Sequence, residues 1–276
     1  NLIEGMEIKG TLGKLYAKAD RIDLGKEIAR LNKIDLSDTA ITLLINDTTT
    51  NKDTTSTTVG WKLKLDQIDL NRVAFAMQIP DDSLRLSTYI DKAGLTDGMV
   101  DLGSARYSAS RFLLFGSSLS YDGSYSDPTP GFDPSHIALN DVNIRIDSLL
   151  YGGRDISVRI KECSANDRSG LTLSSLTGDI SSDSTTIQVP ELLLKTPFPE
   201  IRLLETVPWN SFDDTPSSTL RSLLTASVGK EDVFIFAGPL PKEFKQAYPQ
   251  KEIRLTAGIE GNLAALRLRQ LEGEMA

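Results

Sequence analysis

The chain has 276 residues, of which 39% are hydrophobic, and a formal net charge of −8, which argues against nucleic-acid binding because that function needs a basic face. One cysteine, Cys163, excludes an internal disulfide and a cysteine-based metal cluster, and one histidine, His136, leaves too few ligands for a zinc site. No apolar run reaches the roughly 20 residues that a membrane-spanning helix needs.

Alternating apolar and polar residues open the chain and predict strands over 6–12, 15–24, 28–36 and 40–45. The segment Leu31–Leu36 (LNKIDL) recurs 34 residues later as Leu65–Leu70 (LDQIDL). Period-two alternation puts the apolar side chains of a strand on one face and the polar ones on the other. Many such strands in series predict an elongated sheet with one long apolar surface.

Two polar stretches divide this first part of the chain. Residues 46–58 are Asn, Asp, Lys, Ser and Thr only, and predict a solvated loop. Strand patterns resume over 61–65, 68–79, 84–90 and 99–107. Residues 122–134 are rich in Asp, Gly, Ser and Pro, which suits a connector. We therefore predict a β-rich segment at 1–131 and a second segment at 132–276.

The second segment has the sharper strand signal. Ile137 and Leu139 share one face of a strand, and Val142, Ile144 and Ile146 share one face as well. The phase slips by one residue at 140–141, which is what a β-bulge or a tight turn produces. Further strand-sized segments follow near 156–160, 171–173, 187–194 and 253–256, each bounded by turn residues. This spacing predicts an all-β architecture.

Two short helices are predicted within this segment. Over 216–228, Pro216 stands at a first-turn position, Leu220, Leu223 and Leu224 share a helical face, and Gly229 ends the pattern. Over 241–248, the aromatic side chains of the helix stand four residues apart and a proline follows. Helices here could cover one end or one flank of the sheet.

Few residues in this sequence suggest chemistry. We expect His136 to be a loop or edge residue bonded to backbone, because no motif surrounds it, and Cys163 to be a partly buried strand thiol. Most Asp and Glu residues alternate with apolar residues, so we expect their carboxylates on the solvent-exposed face of the strands. Trp61 and Trp209 could stack on sugars, but core or rim packing fits them better. The sequence therefore predicts a protein that is not an enzyme and needs no cofactor.

Five segments of the chain carry a family resemblance: HIALNDVNI (136–144), RSGLTLSSLTGD (168–179), IQVPELLLKTP (187–197), KEDVF (230–234) and IRLTAGIEGNL (253–263). Their order resembles that of the TamB/AsmA-like family, in the large form found in Bacteroidota. The resemblance is best over 132–276, and residues 1–131 share only the general style of the strand patterns.

The resemblance implies a long envelope protein of a Gram-negative bacterium, anchored in the inner membrane and extending through the periplasm. Family members fold as a curved, taco-like β-groove with an apolar interior. They carry phospholipids between membranes or help to insert outer-membrane proteins together with a β-barrel partner. We read the chain as a piece of such a protein, whose membrane contact lies in parts outside it.

The alternating apolar positions of the second segment are the expected lining of this groove, in contact with phospholipid acyl chains. They are Ile137, Leu139, Val142, Ile144, Ile146, Ile156, Val158, Ile160, Leu171, Leu173, Ile187, Val189, Leu192, Leu194, Ile253 and Leu255.

Three alternatives stay open at this point. The two flanks of the sheet could close on each other as a sandwich core. An exposed edge strand could act as a scaffold that pairs with outer-membrane proteins during their assembly. A carbohydrate-binding or glycoside-cleaving β-protein would need an aromatic-lined, acidic cleft. The aromatic content of 7% counts against that last reading.

Overall fold

A computed structural model of the chain describes residues 6–46, 60–197, 200–212, 219–230, 241–247, 251–262 and 265–275. The predicted polar loop at 46–58 lies outside the described residues apart from Asn46. The fifteen strands are β1 Met6–Thr11, β2 Lys14–Asp23, β3 Ile28–Ile45, β4 Lys62–Ile79, β5 Leu84–Asp101, β6 Arg106–Asp122, β7 His136–Gly152, β8 Asp155–Asp167, β9 Thr172–Leu173, β10 Ser175–Ser182, β11 Thr186–Lys195, β12 Glu200–Pro208, β13 Leu220–Val228, β14 Ile253–Asn262 and β15 Ala265–Met275.

All fifteen strands belong to one open, mixed sheet, which confirms the predicted all-β class. The strands follow chain order across the sheet from β3 to β15, with β9 beside β8, and β1 and β2 together form the edge next to β3. The path has thirteen positions, so at about 4.8 Å per strand the sheet is about 60 Å wide. Neighbouring strands are antiparallel except for β3 and β4, which are parallel.

The 34-residue spacing of the sequence repeat equals the register of this parallel pair. Each residue of β3 faces the residue 34 positions later in β4, so Leu31 pairs with Leu65 and Ile34 pairs with Ile68. The repeated polar positions meet as well, and Asn32 Nδ2 donates a hydrogen bond of 2.9 Å to Asp66 Oδ2. Like residues therefore lie side by side across the pair, and the two strands bend at the same levels.

Two rows of irregular residues cross the long strands. The upper bulge row contains Asp38, Arg72, Gly116 and Asp141, all with φ between 50° and 55°. The lower bulge row contains Asp97 and Ser148, with φ of 50° and 70°. Strand pairing is interrupted at both levels. Bulges bend a strand and increase its twist, so two rows of them bend the sheet along two lines.

One face of the sheet is apolar from edge to edge, and we call it the inner face. Leu36, Leu70, Ala93, Leu114 and Ile144 follow one another on it from β3 to β7. The opposite, outer face carries the polar residues of each strand. The largest side chains that are fully buried in the described structure are serines, and most inner-face residues are half-buried. A single layer with no second sheet packed on it explains this burial.

Three sequence-based assignments need correction. The helix predicted at 216–228 is wrong where the structure describes it, because Leu220–Val228 form strand β13. Both sides of β13 pair with neighbouring strands, and this pairing outweighs the helical spacing of its leucines. The strand predicted at 99–107 is interrupted by a turn at 102–105. The strands predicted at 28–36 and 40–45 are one strand, since a bulge bends the chain without ending its pairing.

Other predictions fare better. The phase slip at 140–141 is a bulge, with Asp141 at φ 50° in the middle of the continuous strand β7. A short helix, Lys242–Ala247, lies within the second predicted helix. The division at residue 131 stays a prediction. The sheet is continuous across it, because β6 and β7 pair along almost their whole length.

Candidate functional site: the inner face

The sixteen residues predicted to line a groove share the inner face. Within β7 and β8, Ile144 pairs with Cys163 and Ile146 with Ile160. The same face continues through Leu192 of β11, which pairs with Leu203 of β12. It reaches β14, where Leu255 pairs with Ala226 of β13. The register therefore brings the predicted residues together on one surface, from Ile137 in β7 to Ile253 in β14.

The inner face also includes residues that the sequence-based lining left out. They include Leu203 of β12 and Leu224 of β13 as well as residues of β3 to β6. In β3 to β6 one row of them is Ile34, Ile68, Leu95 and Phe112, which leads directly to Ile146 of β7. The same alternation marks them in the sequence, and the Leu31–Leu36 repeat marks two of these strands. The apolar surface is thus about twice as wide as the predicted lining.

The deepest part of the inner face lies beside the upper bulge row. Thr39, Val73, Ser117, Val142 and Ala165 lie there, one on each strand from β3 to β8 except β5, and are all buried. Small or branched side chains fit this position, and Ser117 satisfies its hydroxyl by donating to the Phe115 carbonyl at 3.0 Å.

A cavity of about 340 Å³ opens from this corner. Its walls come from strands β5 to β9, and Phe132, from the loop between β6 and β7, lies across from Leu114, Val142 and Leu171. Nearly all of its lining is apolar. Its volume is at the lower end of the range for small-ligand pockets, so it could hold part of a chain-like apolar molecule.

Both edges of the sheet leave inner-face residues open to solvent. On the β1–β2 edge, Ile8 and Ile22 are exposed. On the β15 edge, Leu266, Leu268 and Leu271 are each about 60% exposed. Beyond these strands no further strand is paired in the described structure. The edges therefore combine free backbone groups with uncovered apolar side chains.

Outside the bulges, the inner face of the described strands carries two carboxyl groups and no lysine or arginine. Asp167 ends β8 and accepts hydrogen bonds from the backbone N–H groups of Ala138 and Ser169. Glu205 lies in the middle of β12, between Val189 and Ser222 on the neighbouring strands. Burial raises the pKa of Glu205.

The outer face carries cross-strand ion pairs. The Arg72 guanidinium donates two hydrogen bonds to the Asp38 carboxylate, at 2.6 and 2.9 Å, and these bonds hold the pKa of Asp38 below its ordinary value. Similar pairs join Arg159 to Asp179 and join other neighbouring strands. Further cross-strand pairs include Arg106–Asp155, Arg111–Asp147, Arg202–Glu191 and Arg221–Glu260.

His136 occupies the first position of β7 and is buried. Its backbone N–H donates to the Asp133 carbonyl at 3.0 Å, so the predicted bond to backbone is present, and its Nδ1 lies 3.0 Å from Asp133 Oδ2. Asp133 also accepts from Thr129 and Ser135, and these backbone bonds together with His136 hold the pKa of Asp133 far below its ordinary value. His136 Nε2 is buried with no hydrogen-bond partner among the described residues.

The other residues singled out in the sequence have structural positions. Cys163 is a half-buried thiol in strand β8, as predicted. It lies on the inner face at the cavity, and burial raises the pKa of its thiol. Trp209 packs at the end of β12, where its Nε1 donates to the Asp183 carbonyl at 2.7 Å and Arg154 lies over its ring. This is the rim packing that the sequence favours.

Within the described ranges, no group of three or more His, Cys, Asp and Glu side chains is arranged to hold a metal ion. None of the described helices combines the length and the apolar character that crossing a bilayer requires. No protein-family model, no curated protein and no solved structure matches the chain. The inner face is therefore interpreted from its own geometry.

Proposed function

We propose that the chain is a non-enzymatic, periplasmic segment of an inner-membrane-anchored envelope protein of a Gram-negative bacterium. In this proposal it shields or conducts phospholipid between the inner and outer membranes, with acyl chains lying on the inner face of the sheet. The observation that carries the proposal is the inner face itself, which is apolar across the sheet and half-buried without a second layer.

The energetics favour an apolar chain as the occupant. The transfer of one methylene group from water to apolar surroundings is favourable by about 0.8 kcal/mol of free energy when the group is fully buried. It is favourable by a fraction of that when one side of the group stays open to water. A head group would stay outside, where water solvates it. A floor of Ile, Leu and Val makes no directional bond with a chain, so the chain can slide along it, which suits conduction better than storage.

The bent sheet supports a groove rather than a closed sandwich. A sandwich core would bury its large apolar residues completely. The largest fully buried side chains of the described structure are instead Ser117 and Ser211. Among the described leucines, isoleucines, methionines and aromatic residues, Leu220 alone is buried, at 8% exposure. A groove closed only in part by the two bulge rows accounts for this pattern and leaves room for a lipid.

Photo-crosslinking tests the proposal directly. A photoreactive amino acid is placed on the inner face at Ile144, Val158 or Leu192, and at the outer-face neighbours Arg145 and Arg159 as matched controls. The variants are expressed in the periplasm of a Gram-negative host grown with radioactive phosphate. We expect labelled phospholipid on the inner-face variants and background labelling on the controls.

Equal labelling of the two faces would contradict the proposal. Lipid extraction and native mass spectrometry of the unmodified chain give a second readout, for which we expect bound phospholipid at near-stoichiometric levels. Replacing Ile144 with Asp should remove that lipid while the β-sheet spectrum in circular dichroism persists. A lipid-free chain that also refuses added fluorescent phospholipid would favour a closed core.

A second candidate function is supported by the β15 edge. Its backbone has no partner on one side in the described structure, and its inner-face leucines are exposed, so it could pair with a strand of a β-barrel partner during outer-membrane assembly. A cysteine at Glu272, in a Cys163→Ser background, should then form disulfides with every second position of the partner's strand. A cysteine at Arg145, in the middle of the sheet, is the control.

A further inference from the structure

Glu205 interrupts an otherwise apolar part of the inner face. On its own strand its inner-face neighbours are Leu203 and Val207. Across the strands it pairs with Val189 of β11 and Ser222 of β13. Burying a charged carboxylate among apolar side chains costs free energy. Packing alone therefore does not explain why a glutamate occupies this position.

No protein group compensates this carboxyl group in the described structure. Glu205 makes no hydrogen bond and no ion pair there, and desolvation is what raises its pKa. Asp167, the other inner-face carboxyl, differs because backbone N–H groups donate to it. The carboxylate oxygens of Glu205 can thus still accept hydrogen bonds from a ligand.

The charges near Glu205 lie on the other side of the sheet. Arg202, beside it on β12, pairs with Glu191, and Arg221 of β13 pairs with Glu260. On the inner face, the described residues of β11 and β13 around Glu205 include Ile187, Leu192, Leu220 and Leu224, none of which titrates. Among the described residues, the Glu205 carboxylate is therefore the one charged group on this part of the inner face.

We propose that Glu205, with the Ser222 hydroxyl beside it, is a specificity site for amphiphiles that carry a protonated amine. The ammonium group would bind the carboxylate while the chain lies on the apolar residues around it. This inference rests on the proposed function, because it assumes that the inner face binds apolar chains. Charge complementarity selects the class of ligand, since an ammonium is attracted and an anionic head group is repelled.

Competition binding with single-chain probes of equal length tests the site. The neutral fluorescent probe N-phenyl-1-naphthylamine is displaced by dodecylamine, dodecanol or dodecyl sulfate, all below their micelle-forming concentrations. For the unmodified chain at pH 7 we expect dodecylamine to bind about tenfold more tightly than dodecanol, the size of one charge-assisted hydrogen bond. Dodecyl sulfate should bind least tightly.

Two variants isolate the carboxylate. Glu205→Gln keeps the shape and should bring dodecylamine to the affinity of dodecanol. Glu191→Gln makes the same change in charge on the outer face of the adjacent strand and should keep the tenfold preference. Loss of the preference in both variants would mean that overall charge is responsible, and an unchanged preference in Glu205→Gln would overturn the inference.

A pH titration of the unmodified chain needs no variant. The amine stays protonated across the acid range, so its preference follows the ionisation of Glu205. Because the pKa of Glu205 is raised above 4.5, the preference should disappear at a higher pH than for an exposed glutamate. Equal binding of dodecylamine and dodecanol at pH 7 would sink the inference but leave the proposed function standing, whereas failure of every probe to bind would remove both.

Discussion

The strands β3 to β7 and the strands β10 to β15 carry the same apolar alternation but bury it to different extents. Each strand of the first group has 17 or 18 residues, and each of the second has 8 to 11. The long strands cross both bulge rows, bury Val73 and Val142, and form walls of the cavity. The short strands also bury apolar residues, among them Val189, Val207 and Leu220, but their edge strand β15 leaves leucines about 60% exposed.

The difference teaches that burial on the inner face depends on the position of a residue in the sheet more than on composition. Leu114 in β6 and Leu266 in β15 are the same residue on the same face. Leu114 lies beside the upper bulge row, in a strand that is paired on both sides, and lines the cavity. Leu266 lies on an edge strand that is paired on one side in the described structure, and it stays open to water. Four predictions test this account.

The largest effect is expected from a charge placed at the bend. Val142→Asp should destabilise the chain by about 3–5 kcal/mol, because the carboxylate would be buried without a partner beside the upper bulge row. The same change at Leu268 of β15, which is 58% exposed, should cost no more than about 1 kcal/mol. Urea unfolding followed by circular dichroism measures both. Similar losses would show that the two groups of strands are equally buried.

A smaller loss is expected from a substitution that opposes the bend. Gly116 has φ +55° in the upper bulge row, and a β-branched residue there should cost about 1–3 kcal/mol in backbone strain. Gly116→Val therefore lowers the unfolding midpoint in urea. Gly94→Val on β5 is the control, since its added side chain meets nothing closer than 3.9 Å and valine favours strands. An equal loss in both variants would argue that the bulge geometry is not special.

Removing the ion pair of the upper bulge row should have a modest effect. Asp38→Asn keeps a residue that tolerates positive φ but removes the charge that pairs with Arg72. We expect a fall in Tm of about 1–3 °C at low salt that disappears in 1 M salt. Glu191→Gln, which removes an exposed pair from the short strands, should lower Tm less, because one contact of 3.2 Å joins Arg202 to Glu191 whereas two shorter hydrogen bonds join Arg72 to Asp38.

The smallest effect concerns the turn between β10 and β11. Asp183 accepts hydrogen bonds from Thr185 and Thr186, which lower its pKa to about 2. Because this value lies below the unfolded-state value, the bonds contribute fully above about pH 4, and their contribution is lost as the pH falls toward 2. Asp183→Asn should therefore flatten the dependence of Tm on pH between 4 and 2. A profile as steep as that of the unmodified chain would contradict this assignment.

The candidate site could be predicted from sequence because its signal is local. Alternation assigns each apolar residue of a strand to one face, and the slip at 140–141 is visible as a change of phase. The sixteen predicted residues share a face for this reason. Glu205 could have been noticed by the same rule, since it stands at an apolar position between Leu203 and Val207. The cavity could not, because Phe132 reaches it from a loop.

By itself, the sequence determined the all-β class, the apolar face and the 34-residue repeat, because alternation and repetition are properties of neighbouring residues along the chain. The tertiary structure decided which segments of the chain pair with one another as strands. It joined the repeat as a parallel pair, made a strand of Leu220–Val228 despite its helical spacing, and aligned the bulges into rows. Backbone hydrogen bonds between distant segments set these features, and their free energy exceeds that of local preference.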